Sequence, residues 1–141
     1  MKILLFIIIG LGLASVGFSQ TTNNYPKDTL KFAGYASPDS ALETWTWAMT
    51  KGDKVVMLQT MTAEAREGKE WAKTLAGATD KQMKSVAAKS ASLSGYTIQN
   101  RKVISADEVV IYYSMIGHDD VLTMDIKKMG SDWKIAGPKW D

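Results

Sequence analysis

Cysteine is absent from the 141 residues, and histidine occurs once, at His118. Without cysteine no disulfide can form, although an exported protein would be permitted one. Acylation at a lipoprotein cysteine is excluded for the same reason. Zinc would normally take three or four protein ligands, which one histidine and no cysteine do not supply. His118 stands in Gly117-His118-Asp119-Asp120, a polar stretch in which aspartate suits the backbone of a hairpin turn. At such a tip it is poorly placed to be buried beside a serine as a catalytic base. The stretch is also too short in oxygen ligands for a calcium loop. No Gly-rich phosphate loop of either usual spacing is present. The sequence therefore implies no metal, no cofactor and no assignable catalytic residue. Charge of one sign is lacking too: 17 basic and 15 acidic residues leave a formal charge of +2. They are interspersed, without the basic stripe that a nucleic-acid surface needs.

The N-terminus carries the features of a secretory signal. Lys2 is followed by an apolar run over residues 3–13, broken only by Gly10 and Gly12. Gly17 and Ser19 then put small residues at the −3 and −1 positions of a cut before Gln20. The uncharged stretch 3–18 is shorter than the roughly 20 residues of a spanning helix. No basic stop-transfer flank follows it. The sequence thus predicts a signal peptide over 1–19, a linker over 20–36 and one domain over 37–141. Localisation would be periplasmic or extracellular, with no membrane span after cleavage. A hydrophobic content of 45% argues for a packed core and against disorder.

Helices come first in the domain. Ser37, Pro38 and Asp39 suit a helix N-terminus as cap, first residue and dipole partner. Ala41, Leu42, Trp45, Ala48 and Met49 then fall on one face, and Gly52 can end the helix. Trp47 points away from that face, which makes it a contact-surface residue or an ordinary exposed aromatic. Asp53 opens a short second helix with Val55, Val56, Leu58 and Met61 as its apolar content. Thr62 caps a third, over 63–76, whose interior Gly68 invites a break. Thr79 and Gln82 form a capping box for a fourth, which carries Met83, Val86 and Ala87.

Four strand-like runs follow, over 96–105, 108–116, 120–129 and 132–137, with connections short enough for antiparallel hairpins. A two-residue turn at His118-Asp119 would set Tyr113 against Met124, Met115 against Leu122 and Ile111 against Ile126. Ser114 and Thr123, Tyr112 and Asp125 would share the other face. A turn at Gly130-Ser131 pairs Ile135 with Ile126 and Trp133 with Lys128. Both turns agree on which face is the core. The first hairpin fits less well, because a plain turn at Ala106-Asp107 puts Asn100 and Lys102 beside Ile98 and Ile104. One bulge would send the polar residues out and return Val103 to the core. Without it, Asn100 would face Tyr113 inside a polar-lined pocket.

Several stretches resemble the nuclear transport factor 2-like superfamily, most of all its small exported bacterial members. They are Ser37-Pro38-Asp39-Ser40-Ala41-Leu42-Glu43-Thr44-Trp45, Lys51-Gly52-Asp53, residues 58–66, and Gly130-Ser131-Asp132-Trp133-Lys134-Ile135. The resemblance implies an α+β cone, with N-terminal helices packed on a curved antiparallel sheet of about four strands and a cavity between them. The superfamily holds isomerases, dehydratases, binding modules and interaction domains, so the fold leaves function open. Trp45, Met49, Asn100, Tyr113, Met124 and Trp133 are the residues that would line such a cavity, with Tyr113 as its polar handle. The plainer alternative is that the aromatics and methionines fill the core. The leading expectation is a non-catalytic exported module binding a small apolar ligand or a protein partner. The alternatives are a small isomerase, dehydratase or hydrolase using the cavity, and a homodimer formed through the sheet face.

Overall fold

The computed structural model describes residues 17–19 and 22–139. The apolar run of the expected signal and Gln20 lie outside the described residues, as do Trp140 and Asp141. Among the described residues the fold is α+β: five α-helices, then an antiparallel meander, with short N-terminal strands on its far edge.

Local chemistry sets most helix boundaries. Helix α1, Pro38–Lys51, starts where the Ser37 hydroxyl oxygen accepts the Ser40 N–H at 3.1 Å. It ends at Gly52, whose φ of 63° only glycine adopts cheaply. Its buried face holds Ala41, Leu42, Trp45 and Ala48, with Met49 half-buried beside them. Helix α2, Lys54–Thr60, is capped by Asp53, which accepts from Val56 N–H at 3.1 Å. Here Met57 is the buried residue and Val55 stands 62% exposed. Met57 and Met61, one turn apart, both face inward, and Met61 lies past the helix in a parallel bridge to Ile135. The third expected helix is broken into α3, Ala63–Gly68, and α4, Glu70–Ala76. The break falls at Lys69, in extended conformation directly after Gly68. Helix α5, Asp80–Ala91, carries the complete Thr79/Gln82 capping box.

The sheet comprises β1 (Gly17–Ser19), β2 (Asn23–Pro26), β3 (Gly95–Ser105), β4 (Glu108–Met115), β5 (Leu122–Met129) and β6 (Asp132–Gly137). Strands β3 to β6 form the meander, and β1 and β2 lie end to end along the outer edge of β3. It is therefore five strands wide rather than about four. The β5–β6 hairpin has the expected register, Ile126 opposite Ile135 and Lys128 opposite Trp133. The β4–β5 pairing is two residues away from the expected one: Tyr113 faces Leu122 and Ile111 faces Met124. The connection is not a tight turn at His118-Asp119 but a loop over 116–121, turned by His118 N–H on the Met115 carbonyl at 3.0 Å. A two-residue slip leaves every side chain on its face. Ile111, Tyr113, Met124 and Ile126 are accordingly all buried in the core.

Strand β3 has two irregularities, one between Ile98 and Asn100 and one between Val103 and Ser105. The first is the bulge that the alternation called for. It places Asn100 across from Tyr112 and Lys102 across from Val110, on the face away from the helices. Val103 takes the inner parity opposite Val109, yet it remains 43% exposed, so the expectation that it joins the core is corrected. The stretch read as a linker is corrected as well. Residues 22–36 form a strap: β2 runs along β3, a 3-10 turn follows at Lys27–Thr29, and the chain is then pinned to α1. Thr44 holds this strap twice, accepting from Ala33 N–H at 3.0 Å and donating to the Gly34 carbonyl at 3.1 Å.

Candidate functional site

The six residues expected to line one pocket are not all brought to the same side of the sheet. Trp45 is buried and meets Trp71 edge-on at 6.0 Å between ring centroids. Tyr113 is buried against the edge of Tyr96 at 6.0 Å, and burial pushes its hydroxyl up to about 12. Met124 lies in the same core, while Trp133 is half-buried at its rim, with its backbone N–H donating to the Tyr35 carbonyl at 2.8 Å. Asn100 is on the opposite face of the sheet from Tyr113, and its side-chain oxygen accepts the adjacent Arg101 N–H at 2.9 Å. Asn100 and Tyr113 therefore cannot orient one ligand, and that pairing is corrected. Met49 borders a separate crevice with Leu30, Leu93 and Met115, but its volume is about 10 Å³, room for one water. Trp47 is half-buried too, with Phe32 of the strap edge-on to it at 6.0 Å. The strap thus covers part of the surface that Trp47 would have offered.

The bulge at Gln99 creates an arrangement that strict alternation concealed. Arg101 comes opposite Ile111 on the helix-facing side. There its guanidinium grips Asp39 in the first turn of α1, Nε to Oδ1 at 2.8 Å and Nη2 to Oδ2 at 2.5 Å. Nη2 also donates to the Asn23 side-chain oxygen at 3.2 Å, and the Tyr25 hydroxyl donates to Asp39 at 3.4 Å. Tyr25 stacks on Tyr96 at 4.8 Å. The hydrogen bond to Asp39 holds the guanidinium more firmly protonated, against the opposing effect of burial. This cluster ties strap, helix and sheet together at one end of the fold, through the contacts of Asp39 with Arg101 and Tyr25.

On the outer face, Asp125 is the group with the most altered acidity. One of its carboxyl oxygens is buried with no hydrogen-bond donor. Burial first, and then the neighbouring Glu108 carboxylate, push the Asp125 carboxyl up to about 6, against the pull of Lys139 and Lys127. The expectation that Asp125 occupies the polar face is met, so this acid does not address the core. The folded state holds this proton more tightly than the unfolded chain, whose carboxyl releases it near 3.8. The resulting stability is complete below about 3.8 and is lost as pH rises through about 6. Asp125→Asn should therefore flatten that decline and raise stability at neutral pH by about 1 kcal/mol. That figure is reduced from the full value of the shift because the residue remains partly solvated. Urea melts across this pH range check it; an unchanged slope would contradict the assignment.

A different surface brings binding chemistry together. Tyr35 of the strap, Gln59, Thr62, Arg66, Met129 and Lys134 border an open groove of about 450 Å³. Lys134 Nζ lies 3.6 Å over the Tyr35 ring centre and donates to the Gln59 carbonyl at 2.7 Å. Desolvation and the neighbouring Arg66 weaken its hold on the proton, partly offset by Asp132. Arg66 reaches the Leu58 carbonyl at 3.4 Å, and Met129 is half exposed. Two cations, an aromatic face and a flexible apolar side chain thus share one opening. Sequence reasoning missed this groove because Tyr35 belongs to the supposed linker. The aromatic pair Phe32 and Tyr35 in that stretch was the available signal. Among the described residues no cluster of histidine, aspartate and glutamate could hold a metal ion. No protein-family model, curated protein or solved structure matches the chain.

Proposed function

We propose that this chain is an exported, non-catalytic binding module of the nuclear transport factor 2-like type. Its binding surface is the Tyr35–Arg66–Lys134 groove rather than a cavity in the core. The observation that carries the reading is the convergence of Lys134 and Arg66 on one open groove beside an aromatic ring. Lys134 is partly desolvated next to a like charge, and an incoming anion would relieve that cost. The ligand it fits presents a carboxylate next to an apolar body, with Met129 able to adapt to its shape. The superfamily reading is supported by the order of helices before an antiparallel meander, and export by the N-terminal pattern of Lys2, the apolar run, Gly17 and Ser19. The enzyme alternative ranks below it, because the acid with the raised proton affinity, Asp125, points away from the core. The homodimer ranks third, because the outer face presents Tyr112, Thr123, Asp125 and Lys127, more polar than the centre of a stable interface.

Titration with 1-naphthoate, followed by NMR, tests the groove. Shifts should concentrate at Tyr35, Arg66 and Lys134, and the neutral 1-naphthamide should bind at least about tenfold more weakly. Replacing Arg66 and Lys134 together with methionine should cost naphthoate binding at least about 1.4 kcal/mol, the same tenfold. Equal binding of acid and amide, or shifts centred elsewhere, would remove the groove from consideration.

A further inference from the structure

Strand β3 has two partners on its outer edge, and they have different fates under the export reading. Strand β2 covers residues 95–98 and lies after the expected cut before Gln20. Strand β1 covers residues 101–103, with Gly17 opposite Val103, Phe18 opposite Lys102 and Ser19 opposite Arg101. Gly17 and Ser19 are the small residues that mark the cut. Processing at that site removes the whole of β1 and leaves β2 in place.

We infer that removal of the signal opens a short docking edge on β3, and that it receives an extended segment of a partner protein by antiparallel strand addition. This inference rests on the export reading. The chain itself supplies the main argument, since residues 17–19 already sit on this edge in the geometry that a partner strand would adopt. The extent of the edge is also set. The irregularities between Ile98 and Asn100 and between Val103 and Ser105 bracket residues 100–103. Bulges interrupt strand pairing and deter open-ended edge association, so the edge suits a brief segment and not an extended sheet partner. Strand addition draws its affinity from main-chain hydrogen bonds and its selectivity from alternate side chains. The half-exposed Val103 side chain offers one apolar contact at the end of the edge. The segment it fits is short, uncharged and extended, as Gly-Phe-Ser is. A second copy of the chain fits less well, because antiparallel pairing of two such edges would bring Lys102 against Lys102, and like charges directly opposite are destabilising.

The test uses exported protein recovered after processing, with its N-terminus established by intact mass. The probe is a synthetic peptide of residues 14–21, Ala-Ser-Val-Gly-Phe-Ser-Gln-Thr. Added to protein that begins at Gln20, the peptide should slow amide hydrogen exchange within residues 100–103 by at least about tenfold. The same peptide with proline in place of Phe18 should have no effect, and unprocessed full-length chain should not respond. Processed protein that ignores the peptide, or protects these amides only as it self-associates in sedimentation, overturns the docking edge while leaving export intact. Exported protein that still begins at Met1 overturns the export reading, and the edge with it.

Discussion

Trp45→Ala is expected to lower the free energy of unfolding by about 3–5 kcal/mol, the range for removing a large buried aromatic. Trp45 lies on the buried face of α1, 9% exposed, with Trp71 edge-on to its ring. Ala41, Leu42 and Ala48 occupy the same face of the helix, and Ile126 and Ile135 fill the same core from the sheet. Truncation removes the indole from a packed interior, and its neighbours belong to rigid elements that can collapse only partly into the space. For a domain with roughly 5–15 kcal/mol in total, such a loss is a large share. The measurement also separates the two roles that the sequence leaves open for this residue. A tryptophan lining a ligand cavity could be truncated with modest loss of stability and a change in binding. A denaturant melt showing less than about 1 kcal/mol would reject the filled core. A loss within the expected range leaves the surface groove as the stronger candidate for binding.

Gly95→Ala is the second large effect, and its cause lies in the backbone. Gly95 opens β3 at a φ of +116°, where an L side chain is strained whatever space surrounds it. A Cβ at this position would also strike the main chain of the strap, within 2.7 Å of Lys27 N and 2.8 Å of Pro26 Cα, with the Tyr25 carbonyl closer still. Main-chain atoms cannot move aside as a flexible side-chain tip can. Relief therefore requires the strap to lift from β3, which would disturb the Tyr25–Tyr96 stack and the approach of Asn23 to Arg101. The expected cost is at least about 3 kcal/mol, from strain together with lost strap contacts. Hydrogen exchange should show residues 23–27 losing protection before the rest of the fold. A variant with unchanged stability and a protected strap would show that the close approach at Gly95 is wrong.

These two positions mark how far sequence reading reached. Trp45 was legible because its helical spacing with Ala41, Leu42 and Ala48 is a local pattern. Gly95 is legible only as the end of a helix, because its close neighbour, the strap, has the composition of a linker. Of the proposed pocket, the core placement of Trp45, Tyr113 and Met124 was correct, and the pairing of Asn100 with Tyr113 was not. The bulge between Ile98 and Asn100 shifts side-chain parity along β3, and alternation can suggest such a shift without fixing its position.

The sequence by itself determined the helix starts and stops that depend on nearby residues: Ser37, Asp53, Thr62, the Thr79/Gln82 box and Gly52. Each is a contact between residues a few positions apart, so local chemistry suffices. It likewise determined which face of β4, β5 and β6 is buried, because that face follows from a period of two. Tertiary structure decided the two-residue offset between β4 and β5, to which the apolar pattern is blind because an even slip preserves every face. It decided that Arg101 meets Asp39 across 62 positions of sequence, and that the strap covers part of Trp47. It also decided that Asn100 and Tyr113 lie on opposite faces of the sheet and that Lys134 and Arg66 share a groove. Packed volume and the convergence of distant charges depend on how whole elements are laid against one another, and no period or cap in the chain encodes that.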